Sequence, residues 1–312
     1  MRGSRVTARR MKIIDCHKLT KEDKKILDPF FQAQYHENSH LNFTNFFMWR
    51  EPYHIHWAIE DEILYLTAKW DGHFMVLQPF GPPERMAEAV GKQLEWFKSV
   101  DQPFRAFGLE ASMAEVYKSY PGLSFSVKSN RDDFDYLYRT EDLIQLSGRK
   151  YHSKKNHLNS FRKDYAEAEY LPITPEIVPE CKLNINAWYK MRSQDLPDDP
   201  FLAVERAAVI EVLNNFTDFK LKGGAIAVGK RIVAFTFGEQ LNSDTAVIHV
   251  EKADPSVRGA YPAINQAFLE HEWSHLPYVN RQEDMGIEGM RKAKESYKPI
   301  RMIEKFTVEL QP

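Results

Sequence analysis

The sequence predicts a mixed α/β (α+β) protein of two similar domains, each built on a mostly antiparallel sheet flanked by helices. The chain has 312 residues, 43% of them hydrophobic, which is enough for about two domains with cores of their own. Segments with a two-residue period alternate with segments whose apolar residues recur every three or four positions. One order of elements (hairpin, strand, helix, strand, helix, strand) occurs twice, which predicts domains at residues 11–145 and 146–312.

The first half supplies the first copy of this order. A strand at residues 12–16 precedes a helix at 20–32, where Thr20 is the expected N-cap. Residues 41–50 are dense in aromatic side chains and favour a core segment, with a ligand wall as the alternative. The remaining predicted elements are strands at 53–59, 63–70 and 74–80, a helix at 84–100, a strand at 104–109, a helix at 112–119 and a strand at 123–138.

The second half repeats the order after a proline-containing connector at residues 173–179. A two-residue turn, Gly229-Lys230, joins two alternating segments and predicts a hairpin. The predicted elements are helices at 147–165, 181–191 and 203–216, strands at 224–228, 231–240 and 245–253, a helix from 260, a strand at 278–281, a helix at 286–297 and a strand at 302–310.

The junction near residue 258 is the first candidate for a binding site. An alternating strand that carries His249 and Glu251 on one predicted face is followed by a helix, and Arg258, Gly259 and Ala260 lie between them. Glycine lets another group approach the backbone, and the first helical turn presents unpaired N–H groups, so this junction suits a phosphate. An ordinary strand-to-helix turn is the alternative.

The helix at residues 147–165 is unusually basic. One of its faces carries Tyr151, Leu158 and Phe161, and six cations crowd the remainder. This pattern suits a contact with phosphate, either of a cofactor or of RNA, and an exposed amphipathic helix is the alternative. Elsewhere, His54 and His56 share a predicted strand face without a third ligand at a suitable spacing, so we expect no metal.

The overall composition excludes several classes of protein. A net charge of −2 argues against a protein that binds polyanions over its whole surface. Cys16 and Cys181 lie far apart without a CxxC pair, and no apolar run reaches the roughly 18–20 residues of a membrane span, so we expect a cytoplasmic protein. Residues 1–10 are expected to be a disordered arm or tag-like start, with Met11 as an alternative first residue.

Three motifs carry a family resemblance: GRKYHSKKNHLNSF at 148–161, HVEKADPSVRGAYPAINQAF at 249–268 and NRQEDMGIEGMRKAKESYKP at 280–299. Together they resemble bacterial proteins related to the C-terminal domain of phosphatidylglycerol lysyltransferase, and the resemblance covers most of the chain from residue 41. The element order resembles the GNAT-type N-acetyltransferase fold. The resemblance implies two tandem acetyltransferase-like (GNAT-like) domains, with the donor site in the second.

The resemblance implies an acyltransferase that transfers an acyl group to an amine or hydroxyl, on a small molecule or a lipid headgroup. Acetyl- or acyl-coenzyme A is the expected donor. Aminoacyl-tRNA, contacting the basic helix at 148–163, is the alternative donor, and a non-catalytic ligand-binding protein is the alternative class.

The resemblance also assigns site residues, because the fourth and fifth strands of this fold splay apart around the donor. The expected catalytic residues are Glu251, Tyr297 and Asp284, for which ion pairing, packing and helix capping are the respective structural alternatives. The residues expected to bind the donor are Val250, Lys252, Arg258, Gly259, Ala260, Tyr261 and Asn265. Those expected to bind the acceptor or an aminoacyl group are Asn280, Arg281, Glu283, Lys154 and Asn156.

Overall fold

The computed structural model describes residues 16–100, 102–195 and 200–312, and all structural statements below concern these residues. They form a mixed α/β fold with two mostly antiparallel sheets, as the alternating segments predict. The expected arm at residues 1–10 and most of the strand expected at 12–16 lie outside the described residues.

Seven strands form the first sheet: β1 (His17–Lys18), β2 (His56–Glu60), β3 (Ile63–Trp70), β4 (His73–Val76), β5 (Arg105–Leu109), β6 (Phe125–Ser129) and β14 (Phe306–Leu310). Their order is β1-β2-β3-β4-β5-β14-β6. Only β4 and β5 run parallel, and they share a single residue pair, Val76 with Ala106.

The second sheet also has seven strands: β7 (Asp135–Arg139), β8 (Glu169–Pro172), β9 (Lys222–Val228), β10 (Arg231–Gln240), β11 (Thr245–Ala253), β12 (Tyr278–Asn280) and β13 (Arg301–Ile303). Their order is β13-β7-β12-β11-β10-β9-β8, and only β11 and β12 run parallel. Strand β8 was not predicted: it lies between the helix expected at 147–165 and the connector expected at 173–179, and Pro172 argues against a strand.

The helices are α1 (Lys24–Gln32), α2 (Phe43–Trp49), α3 (Met86–Val100), α4 (Ala111–Lys118), α5 (Thr140–Gln145), α6 (His152–Asp164), α7 (Val178–Asp195), α8 (Pro200–Asn214), α9 (Ala260–Phe268) and α10 (Glu288–Glu295). The core formed by α1, α2, α7 and α8 contains residues of both sheets, such as Leu64 and Phe237. Helices α5, α6 and α9 cover the other face of the second sheet, and α3 and α4 pack on the first.

Two predicted strands each divide between the sheets. The strand predicted at 123–138 is β6 in the first sheet and β7 in the second, and the strand predicted at 302–310 is β13 in the second sheet and β14 in the first. Strand β7 lies between β12 and β13, and β14 lies between β5 and β6. The two halves therefore exchange one strand each, and the boundary expected near residue 145 does not coincide with the division between the sheets.

A buried ionic network lies where the chain crosses between the sheets. Lys305, between β13 and β14, has its Nζ 2.7 Å from Asp135 Oδ1 and 2.8 Å from Glu283 Oε2. It also lies 2.9 Å from Nε2 of His40. The side chains of Lys305 and Asp135 are 1% and 0% exposed. Burial alone would lower the pKa of Lys305, but Asp135 and Glu283 raise it, so the amine stays charged.

Replacing Lys305 by methionine should lower the free energy of unfolding by about 3–5 kcal/mol, because two carboxylates would remain buried without their cation. Urea denaturation at pH 7 measures the change.

The matched control is Lys128→Met on β6. Lys128 also pairs with a carboxylate, Glu309, but these side chains are 66% and 36% exposed, so the expected loss is below about 1 kcal/mol. Equal losses for the two variants would contradict the structural role given to the buried network.

Candidate functional site

Strands β11 and β12 separate after a short parallel pairing. Their pairing covers Thr245–Val247 of β11, which then continues to Ala253 against β10 alone. The register between β10 and β11 shifts at Phe237 and Gly238, so His249 is an extra residue opposite them. Such a bulge bends the strand. Beyond Val247, β11 therefore pairs with no described strand on the side of β12, the arrangement expected for splayed fourth and fifth strands.

The bulge changes the environment of His249. Its Nε2 lies 2.9 Å from Glu239, whereas Glu251 contacts Asn265 and Arg281. The prediction that His249 and Glu251 act on one strand face is therefore wrong, because the extra residue interrupts the two-residue alternation.

Five predicted residues do come together beside this unpaired part of β11, and we call them the Glu251 cluster: Lys154, Glu251, Asn265, Arg281 and Tyr297. Asn265 Nδ2 donates to Glu251 Oε2 at 3.0 Å, and Arg281 Nη2 donates to Oε1 at 2.9 Å. The Arg281 guanidinium lies 4.8 Å from the Tyr297 ring centroid, and Lys154 Nζ lies 4.2 Å from it. Helices α6 and α9, strand β11 and the segments that follow β12 and α10 therefore meet at one charged cluster.

Two polar atoms of the cluster have no close hydrogen-bond partner among the described residues, although the Tyr297 hydroxyl also interacts with the Arg281 guanidinium. They are Oδ1 of Asn265, an acceptor, and Nη1 of Arg281, a donor, and both are buried. The Asn265 residue is 2% exposed, and the Arg281 side chain is 11% exposed. An unpaired buried polar atom costs free energy, so the pair favours a ligand that both accepts and donates a hydrogen bond.

The cluster also carries an excess positive charge, since two cations accompany one carboxylate. Burial and the neighbouring Arg281 lower the pKa of Lys154 to about 8, although Glu251 partly opposes them. Burial raises the pKa of Tyr297, so its hydroxyl stays protonated. Lys154 is thus an amine that exchanges its proton near neutral pH.

Other polar residues of the basic helix have partners outside the Glu251 cluster. Lys150 pairs with Asp142 at 3.3 Å, and Arg162 donates to Gln266 at 2.9 Å. Asn156 is exposed beside His152 and does not reach the cluster. Of the two α6 residues expected to bind substrate, only Lys154 is at the site.

The loop that carries Arg281 is held by main-chain and ionic contacts. Lys294 Nζ donates to the carbonyl oxygens of residues 281, 282 and 283 at 2.5, 3.1 and 2.6 Å. Asn280 donates to Asp135 at 3.0 Å, and Glu283 contacts Lys305 in the crossing network. Asn280 and Glu283, expected to bind substrate, therefore fix this loop.

Asp284 belongs to the same support and lies outside the cluster. Its side chain is 0% exposed, and it accepts from Arg291 at 2.8 and 2.9 Å, Tyr136 at 2.5 Å and Gly286 N at 2.9 Å. Burial would raise its pKa, but the hydrogen bonds from Arg291 and Tyr136 hold the pKa far below its usual range. A carboxylate so fully engaged is a poor proton acceptor, and its contacts fit a structural role better than the catalytic one expected.

The junction expected to bind phosphate is packed against α6. Gly259 has φ of 84°, and a Cβ there would lie 2.5 Å from the carbonyl oxygen of His157. Ala260 is buried and Arg258 is exposed. The group that approaches the Gly259 backbone is thus a neighbouring helix, which the sequence could not distinguish from a ligand.

The other residues expected to bind the donor lie on the α7 side of β11. Val250 is in the core between the sheets. Lys252 Nζ lies 2.9 Å from Glu205 and 3.8 Å from the Trp188 ring centroid, and Trp188 donates to the Tyr261 hydroxyl at 3.0 Å. Val250 and Lys252 flank Glu251 in the chain, but no hydrogen bond among the described residues joins these side chains or that of Tyr261 to the Glu251 cluster.

Sequence reasoning missed Tyr138, whose ring centroid is 5.8 Å from the Arg281 guanidinium. Tyr138 lies on β7, which belongs to the first half of the chain. No local signal could place it here, since its position depends on the strand exchange.

A family model described as the C-terminal region of phosphatidylglycerol lysyltransferase matches residues 32–309. An uncharacterised protein of Mycoplasmoides gallisepticum is 29% identical over 177 residues, which is 56% of this chain and 56% of that protein, so the match spans about half of this curated relative. None of the described helices is long and apolar enough to cross a membrane.

Two solved structures are also similar. A conserved protein of unknown function from Bacteroides thetaiotaomicron is 34% identical with a TM-score of 0.88, covering 96% of this chain and all of that one. The structure of L-PGS from Bacillus licheniformis is 14% identical with a TM-score of 0.65, covering 92% of this chain and 91% of that one, which shows a shared fold.

Replacing Gly259 by alanine should destabilise the protein by about 2–4 kcal/mol, because the new Cβ would add a clash with α6 to the strain of positive φ. The control Gly229→Ala shares the positive φ, at 61°, but its Cβ would meet nothing within 4 Å. Thermal unfolding of both variants measures the difference. Equal effects would show that Gly259 is not needed for packing.

Proposed function

We propose that this chain, which belongs to the phosphatidylglycerol lysyltransferase C-terminal family, is an aminoacyltransferase that takes its aminoacyl group from aminoacyl-tRNA. The acceptor is a hydroxyl of a lipid headgroup, by analogy with the enzyme that names the family. The observation that carries the proposal is the unpaired acceptor and donor of Asn265 and Arg281 beside Glu251.

An aminoacyl ester matches this pair of atoms. Its carbonyl oxygen accepts a hydrogen bond from Nη1 of Arg281, and its α-ammonium donates to Oδ1 of Asn265 near the Glu251 carboxylate. A simple acyl group has no ammonium and would leave Oδ1 of Asn265 unpaired. The aminoacyl donor therefore has more support than the acyl-coenzyme A expected from the sequence, and the packing of Gly259 against α6 adds to this preference.

Lys154 is the proposed base. Its neutral amine takes the proton of the acceptor hydroxyl, whose oxygen bonds to the carbonyl carbon. Arg281 stabilises the resulting oxyanion. The bond to the ribose oxygen of the tRNA then breaks, and that oxygen takes a proton from the Lys154 ammonium or the Tyr297 hydroxyl. Glu251 is already bonded to Asn265 and Arg281, so we assign it to orienting these two side chains.

The direct test is transfer of radiolabelled lysine from lysyl-tRNA to vesicles that contain phosphatidylglycerol. Label should appear in the lipid, and unlabelled acetyl-coenzyme A should not compete. Acetyl transfer from acetyl-coenzyme A in the absence of lysyl transfer would overturn the assignment of the donor.

Arg281→Lys should lower kcat by about 100-fold with little change in KM, because lysine cannot bond Glu251 and the oxyanion together in this geometry. Steady-state transfer kinetics measure the effect. Arg162→Lys, at an exposed position of α6, is the matched control and should retain full activity. An unchanged kcat for Arg281→Lys would remove Arg281 from the proposed mechanism.

The transfer rate should rise with pH and level off above about 8, because the base acts only when its amine is neutral and the pKa of Lys154 is about 8. Lys154→Met should abolish most of the activity and this rise, whereas Lys155→Met, which alters an exposed neighbour, should preserve both. A pH–rate profile of the three proteins checks this.

Lys154→Met should also stabilise the fold at pH 7. The folded state lowers the pKa of Lys154 below its value of 10.5 in the unfolded chain, so the cost of burying the charge is fully present below pH 8 and fades as the pH rises to 10.5. After allowance for water around a partly exposed amine, the expected gain is about 1 kcal/mol. Urea denaturation at pH 7 and at pH 10 measures it, and a loss of stability at pH 7 would contradict the proposed environment.

A further inference from the structure

Three aromatic side chains outside the Glu251 cluster form a ladder of neighbouring rings. The centroids of Tyr53 and Trp70 are 5.0 Å apart, those of Trp70 and Phe201 are 5.4 Å apart, and both interplanar angles are 35°. Trp70 ends β3 in the first half of the chain, and Phe201 lies in the first turn of α8. Trp70 is 40% exposed, so its ring keeps surface for another flat group.

Two shallow cavities lie side by side near the end of β3, and one of them is lined by Trp70 of the aromatic ladder. One, of about 430 Å³, is lined by Trp70, His54 and Lys69 together with Pro52, Asp71 and Gly72. The other, of about 350 Å³, shares His54 and Lys69 and adds His56, Thr67, Ala68 and Phe74. Lys69 forms no ion pair with the described residues, and its Nζ lies 5.2 Å from the Phe74 ring centroid. The cavities therefore offer N–H donors and an unpaired cation, opposed by the single carboxylate of Asp71.

The hydroxyl of Tyr53, at the inner end of the ladder, interacts electrostatically with two carboxylates of other segments. Burial raises the pKa of the Tyr53 hydroxyl, and the carboxylates of Glu283 and Asp133 raise it further. Glu283 is two residues from Arg281. The inner end of the ladder is thus coupled electrostatically to the loop that carries Arg281.

We propose that the aromatic ladder stacks the unpaired bases of a single-stranded RNA end, while Lys69 and His54 contact its phosphates. Stacking accepts any base, since every base has a π-face, and adjacent cations hold the backbone. A carbohydrate would also stack on these rings, but it prefers hydrogen bonds to carboxylates and amides over an unpaired lysine. The choice of RNA among nucleotide ligands rests on the proposed function.

The test is binding of the single-stranded RNA tetranucleotide ACCA, without an amino acid and labelled with fluorescein at its 5′ end, followed by fluorescence anisotropy. Trp70→Leu should weaken binding at least about fivefold, which is the loss of one stacked base. Trp70→Tyr keeps a ring and should bind within about twofold of the unchanged protein. Lys69→Gln should weaken binding and reduce the dependence of log Kd on log salt concentration by about one.

Matched controls lie on other surfaces. Tyr35→Leu removes an aromatic residue that is 52% exposed, and Lys118→Gln removes an exposed lysine of α4; both should bind as the unchanged protein does. Thermal unfolding verifies that each variant is folded. If Trp70→Leu does not fold, Trp70→Tyr and Lys69→Gln still test the proposal.

The absence of binding at millimolar protein, or equal binding by folded Trp70→Leu, would overturn this inference. The result is separate from lysyl transfer. Binding of the tetranucleotide without any lysyl transfer would overturn the proposed function alone. Lysyl transfer by Trp70→Leu with an unchanged KM for lysyl-tRNA would overturn only the proposed role of the aromatic ladder in binding RNA.

Discussion

The contact on which the structure most depends is the buried ion pair between Lys305 and Asp135. It lies where the chain passes from β13 in one sheet to β14 in the other, and where β7 begins after the opposite passage from β6. Two charges with no access to water are tolerable only as partners of each other, because each one alone would face the full cost of desolvation. The pair therefore favours the path in which the chain passes between the sheets at Asp135 and at Lys305. This path places β7 in the second sheet and β14 in the first.

The crossing also builds the site. Strand β7 brings Tyr138 beneath Arg281, and the same network holds Glu283, two residues further along the loop. Lys294 satisfies three successive carbonyl groups of that loop, so its backbone is fixed while the guanidinium remains available. The Glu251 cluster is thus a product of both halves of the chain, although most of its residues come from the second.

Much of the local structure could be predicted from the sequence, because local periodicity reports which face of an element is buried. The hairpin around Gly229-Lys230 and the strand that carries Glu251 are where the alternation predicts them. The family motifs brought Lys154, Glu251, Arg281 and Tyr297 into consideration, and these residues do meet. The exchange of β7 and β14 and the helix against Gly259 could not be predicted, since each depends on a segment distant in sequence. The bulge at His249 lies between consecutive strands, but the regular alternation of residues 245–253 gives no signal for an extra residue.

The exchange has a consequence for how the chain acquires its structure during synthesis on the ribosome. Strand β6 pairs only with β14, and β5 needs β14 to cover its second edge. The first sheet therefore stays incomplete, with an edge open to wrong partners, until residues 306–310 have left the ribosomal tunnel. Strand β7 likewise has no paired neighbour until β12 and β13 have been synthesised. The two halves therefore complete their sheets together, and a chaperone that shields open sheet edges would act in the interval before residues 301–310 become available.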